Sequence, residues 1–86
     1  MEEHNPQVKK LILQVVSNQL KDNDPPETKQ NLNRLMSEGY SRPAAKELIA
    51  AVVAAHIYDM LNQQRKFDNR KYIEDLEKLP TMPWDH

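Results

Sequence analysis

The sequence predicts an all-α fold, a small irregular four-helix bundle with a long central third helix. Three observations predict it. A single glycine and the lack of an alternating Val/Ile/Thr pattern leave little that could form strands. Helix start and stop signals recur at four places. The run Leu48-Ile49-Ala50-Ala51-Val52-Val53-Ala54-Ala55, closed by His56 and Ile57, is apolar on nearly every side, and such a helix must be surrounded by protein.

The first helix is expected over about 6–21. Asn5 stands as its N-cap, and Pro6 takes the first helical position, where a missing N–H costs nothing. Val8, Leu11, Ile12, Val15, Val16 and Leu20 step by three and four, so they predict one inward stripe. The second helix, about 25–38, opens at Asp24-Pro25-Pro26-Glu27, which reads as a capping-box variant in which Asp24 and Glu27 serve each other's backbone N–H groups. Leu32, Leu35 and Met36 supply its apolar face. Gly39 follows as the left-handed residue past the helix end, letting Tyr40 fold back on Leu35.

Ser41 caps a third helix with Pro43 in its first turn, and the pattern continues to about residue 66 without a breaker. At 1.5 Å per residue it would span about 35–40 Å, enough to touch all three other helices. Asp68 caps the fourth, about 69–79, in which Tyr72, Ile73, Leu76 and Leu79 face inward, with Phe67 and Tyr72 as a hydrophobic staple. Pro80 stops it. The tail 80–86, with prolines at 80 and 83, is expected to be extended. No internal repeat, low-complexity tract or linker divides residues 1–86, which read as one domain.

Net charge is −1 with 29% charged residues, so no strong field is implied and nucleic acid is not an expected partner. The chain has no cysteine, which excludes disulfides, thiolate metal sites and a cysteine nucleophile. Met1-Glu2-Glu3-His4-Asn5-Pro6 is acidic where a secretory signal would be basic, and the longest apolar run falls far short of the roughly 20 residues that span a bilayer. The expectation is a cytoplasmic protein without a membrane partner.

His56 is the residue that most invites a functional reading. It lies four after Val52 and four before Met60, on the deepest stripe of the third helix, with Asp59 one turn away. One reading is a buried histidine oriented by a carboxylate, acting as a base or as a ligand for a metal or small molecule. The plainer reading, which is favoured, is a core-edge histidine satisfied by a carbonyl, hydroxyl or carboxylate, since one histidine makes neither a zinc site nor a triad. Asp22, Asp24 and Glu27 around Asn23 suggest calcium only superficially, because Pro25-Pro26 occupies the place of the glycine-permitted turn. Ser17, Ser37 and Ser41 lack a histidine–aspartate partner by spacing, so no catalytic residue, metal ligand or cofactor is expected.

Basic Arg65, Lys66, Arg70 and Lys71 are interleaved with or followed by Asp68, Glu74, Asp75 and Glu77, which reads as a mixed solvated surface. Ala50, Ala51, Ala54 and Ala55 form small-residue rows that admit another helix closely, either from the same chain or from a second copy in a homodimer. Trp84, the sole tryptophan, either folds back to seal the bundle, the favoured reading, or anchors a partner protein.

Two resemblances add to these readings. Leu35-Met36-Ser37-Glu38-Gly39-Tyr40-Ser41-Arg42-Pro43-Ala44-Ala45 resembles the helix-loop-helix corner of ubiquitin-associated (UBA) domains, which implies ubiquitin-like binding around Gly39 and Tyr40. It departs from that family at Glu38, where a methionine is usual, and in having no break within Ala44–Leu61. More broadly, Asn5-Pro6, Val16 to Leu20, Asp22-Asn23-Asp24-Pro25-Pro26-Glu27-Thr28, Arg34-Leu35-Met36, Gly39-Tyr40-Ser41 and Ile57-Tyr58-Asp59 are similar to a small family of bacterial helical domains of unknown function. Relatives in that family carry histidines in the first helix and near the start of the third, implying metal binding. Here Lys9, Leu13, Pro43 and Glu47 hold those places, which implies that such a site is missing from this chain. The expected function is a non-enzymatic protein-interaction or self-associating module using Ala50, Ala51, Ala54 or Trp84. The alternative is a metal- or small-ligand-binding domain centred on His56.

Overall fold

A computed structural model describes residues 6–85, so the expected Asn5 cap, His4 and His86 lie outside the described residues. The chain forms α1 (Pro6–Asp22), α2 (Pro26–Ser37), α3 (Arg42–Gln63) and α4 (Asn69–Glu77), the all-α bundle with a long third helix that the pattern predicts. No helix among the described residues is long and apolar enough to cross a membrane.

Three helices end on a left-handed residue. Gly39 closes α2 at φ 107°, and the Gly39 and Tyr40 N–H groups donate to Met36 and Leu35 carbonyls, both at 3.1 Å. Nothing lies within 4 Å of where a Cβ would stand, so the demand on Gly39 is conformational and not steric. Asn23 does the same for α1 at φ 53°, with Asp24 N–H donating to the Gln19 carbonyl at 3.0 Å. That bond takes the N–H that the Glu27 side chain was expected to serve, and the expected capping box is not formed. Asp24 closes α1, Pro25 occupies the N-cap position of α2, and no side chain caps that helix. Thr28 N–H instead donates to the Pro25 carbonyl at 3.1 Å.

Gln64, at φ 52°, ends α3 before the expected residue 66, and Arg65 N–H donates back to the Met60 carbonyl at 3.1 Å. The early stop turns the chain so that Phe67 packs against His56 and Tyr72. The predicted caps of α3 and α4 are present, Ser41 accepting from Ala44 N–H at 3.2 Å and Asp68 from Lys71 N–H at 3.1 Å. The Phe67–Tyr72 staple is present too, its ring centroids 5.5 Å apart. The tail is not extended: Thr81 N–H donates to the Lys78 carbonyl at 2.9 Å and Asp85 N–H to the Met82 carbonyl at 3.0 Å. Within it Met82 packs on the core, whereas Trp84 stays 59% exposed and seals nothing.

The core gathers Val16 from α1, Leu32 and Leu35 from α2, Ala45, Ile49, Ala50, Val52 and Val53 from α3, and Tyr72 and Leu76 from α4, with Leu79 just beyond. Helix α3 packs on each of the others, as its length requires, while the α1 and α4 backbones pack on α2 and α3 and not on each other. Helix α1 therefore has fewer neighbours than its apolar residues could fill. Val16 is buried and Ile12 and Leu20 pack on the core, but Val8, Leu11 and Val15 point outward. The single inward stripe expected for α1 is two stripes, one of them uncovered.

Candidate functional site

His56 projects from α3 toward α4, where its Nε2 lies 2.7 Å from Asp75 Oδ2. Its partner is thus Asp75, nineteen residues on, and not Asp59, which is exposed. The histidine side chain is 11% exposed and the aspartate 5%. Lys71, one turn before Asp75, brings its Nζ to 3.3 Å from Oδ1. Each carboxylate oxygen thus has one partner. A carboxylate oxygen accepts, so in the tautomer that makes this hydrogen bond His56 Nε2 is the donor. The imidazole is framed by Phe67 and Tyr72, with centroids at 5.7 and 5.8 Å.

A polar cluster lies on the other side of Tyr72. The Tyr72 hydroxyl donates to Gln19 Oε1 at 2.8 Å, and the Thr28 hydroxyl donates to the same oxygen at 2.8 Å. Thr28 and Tyr72 are fully buried, so these bonds replace water that neither group can reach. Burial raises the pKa of the Tyr72 hydroxyl above its usual 10.0. The cluster joins α1, α2 and α4 through side chains that the helices alone would not bring together.

Arg34 makes the third polar tie. It donates to Asn31 Oδ1 at 3.2 Å, to Glu38 Oε2 at 2.9 Å and, across the bundle, to the Leu76 carbonyl at 3.2 Å. That carbonyl, in the last turn of α4, also accepts from the Leu79 N–H at 3.1 Å. Asn31 is itself buried and donates to the Glu27 carbonyl at 2.9 Å.

Chemically, the His56–Asp75 pair can hold and orient a proton. A cavity of about 120 Å³ adjoins it, lined also by Asp59, Met60, Arg65, Lys66 and Lys71. The serines lie elsewhere: Ser17 accepts from Lys46 Nζ, Ser37 donates to the Arg34 carbonyl, and Ser41 caps α3. Among the described residues no three His, Cys, Asp or Glu side chains converge to hold a metal ion.

The other sequence candidates separate. Ala50 is buried at 8% exposure and belongs to the core, while Ala51 and Ala54 are half-buried on the outer side of α3. In steps of three and four, Ala51 and Ala54 lead to Tyr58 and Leu61, which are 66% and 69% exposed. Trp84 stands apart, exposed in the tail. Sequence reasoning missed Thr28, Asn31 and Asp75, though helical spacing carried a signal for each. Thr28 lies four before Leu32, Asn31 four before Leu35, and Asp75 four before Leu79, all on inward faces.

No family model, curated protein or solved structure matches this chain.

Proposed function

We propose that this domain is a non-enzymatic interaction module that pairs with a second copy of itself through the outer face of α3. The observation that carries the reading is the outward row of half-buried Ala51 and Ala54 and exposed Tyr58 and Leu61, whose 3-4-3 spacing is that of a helix-pairing seam. Ala51 and Ala54 let a second backbone approach, and Tyr58 and Leu61 supply the large side chains a paired helix would bury. The outward stripe of α1, Val8, Leu11 and Val15, is 49%, 66% and 36% exposed and offers further apolar surface. A two-fold axis would present the same row from both copies, which is the commonest arrangement for a soluble dimer.

Sedimentation velocity at high micromolar concentration tests this. The expected result is a dimer that the Tyr58→Glu/Leu61→Glu variant converts to a folded monomer. A wild-type protein that stays strictly monomeric sinks the proposal.

A second reading has its own observation, the His56–Asp75 contact beside a small cavity. In it, His56 takes a small ligand or a metal whose remaining coordination comes from water. Titration with zinc or nickel, followed on the His56 imidazole signals, is the measurement; unchanged signals at stoichiometric metal remove this reading.

A further inference from the structure

We infer that the groove between the C-terminal half of α1, α2 and the start of α3 binds a small ligand carrying two or more phosphate groups. Four cationic side chains line it, Lys21 from α1, Lys29 from α2, and Arg42 and Lys46 from α3, and the lining contains no carboxylate. Its volume is about 320 Å³, within the range of small-ligand pockets. In a chain of net charge −1, such single-sign clustering is a local segregation of charge and not a reflection of composition.

The partners of these cations point the same way. Lys46 Nζ is held by the Ser17 hydroxyl at 2.9 Å, a neutral contact that fixes the ammonium without neutralising it. Lys21, Lys29 and Arg42 make no hydrogen bond or ion pair among the described residues. By contrast, Lys71 and Arg70 of α4 each have a carboxylate, Asp75 and Glu74. The groove therefore holds uncompensated positive charge, and the residues that would ordinarily quench it are absent from its walls.

The charge count favours a polyphosphate over a single phosphate. Four cations oppose a charge of about −3 to −4, whereas one phosphate ester at neutral pH carries about −1.5 to −2. Arg42 supplies the planar donor fork suited to a phosphate, and the lysines supply point charges. Ser17 and Asn33, with a hydroxyl and an amide, complete the polar wall, while Leu20 and Leu32 provide apolar surface for the rest of the ligand. At about 100° per residue, Ser17 and Lys21 are centred about 130° around α1 from Val8, Leu11 and Val15, so this site lies on a different face from that outward stripe.

The test uses the full chain and tripolyphosphate as the probe, followed by amide NMR shifts. The expected result is saturable binding with shifts at Ser17, Lys29, Asn33 and Arg42, at least about tenfold tighter than for sulfate, and weaker at 200 mM salt than at 50 mM. Lys29→Glu/Arg42→Glu should weaken binding at least about tenfold; Lys66→Glu/Arg70→Glu, at the other basic junction, should change it less than about twofold. Lys21→Gln/Lys29→Gln replaces the first variant if that one melts early by circular dichroism. Equal losses from both sites, no preference over sulfate, or no saturation overturns the proposal. A poly-glutamate peptide or an oligonucleotide that binds the groove more tightly than tripolyphosphate also overturns it, by giving the site to a macromolecule.

Discussion

Where α4 meets α2 and α3, the interface is apolar packing reinforced by directional bonds, His56 to Asp75 and Arg34 to the Leu76 carbonyl, and Tyr72 of α4 donates onward to Gln19 of α1. Where α1 meets α3, the cross-helix polar contacts are Lys46 to Ser17 and the Lys9–Glu47 ion pair at 3.3 Å, with both members of that pair more than half exposed. The first seam has a buried donor or acceptor at each step, so a shifted α4 would strand several polar groups at once. Little of that kind constrains the second. The difference teaches that α4, the shortest helix, is held by specificity of pairing, while the α1–α3 seam rests mainly on the burial of Val16 and its neighbours; the buried bonds of α1 run from Gln19 to α2 and α4, and its outer apolar face stays free.

The contrast breaks or sharpens most readily at Asp75. Asp75→Ala leaves His56 without its acceptor and Lys71 without its carboxylate, and should cost about 2 kcal/mol of unfolding free energy in a urea titration. A loss under about 1 kcal/mol would show that the α4 seam rests on packing alone. Next comes Tyr72→Phe, expected to cost about 1 kcal/mol, since Thr28 and Gln19 keep each other as partners.

Tyr72 also makes a pH prediction. Its folded pKa is raised above 10.0, so near and above that pH the unfolded chain releases a proton that the folded chain keeps. Its contribution to stability is therefore full below about pH 10 and declines as pH rises toward the folded value. Stability curves against pH should show this alkaline decline in the wild type and a smaller one in Tyr72→Phe. Matching declines would place the effect in other groups. The smallest effect belongs to the other seam: Lys9→Ala or Glu47→Ala should change stability by less than about 0.5 kcal/mol, because an exposed pair gains little over water. A larger loss there would erase the distinction between the two sides.

Much of the fold was legible because it is local. Ser41 and Asp68 cap through bonds only three residues long, Gly39 supplies a backbone conformation that other residues resist, and Phe67 meets Tyr72 five positions later. The errors were local too where two motifs competed for one residue. Asp24 looked like the cap of α2, but its N–H was already committed to closing α1. Gln64 gave no warning of a helix end, since its left-handed conformation is imposed by the turn that brings Phe67 inward.

The amino-acid sequence by itself determined the all-α class, the order of the four helices and the capping of α3 and α4, because spacing, caps and a glycine act over a few residues and need no knowledge of neighbours. Only the tertiary structure decided which carboxylate His56 meets, which alanines of the third helix are buried and which face outward, and that Lys21, Lys29, Arg42 and Lys46 share one groove. These depend on how helices cross. Gln19 and Tyr72 are 53 residues apart and meet only because the apolar faces of the helices are already in register.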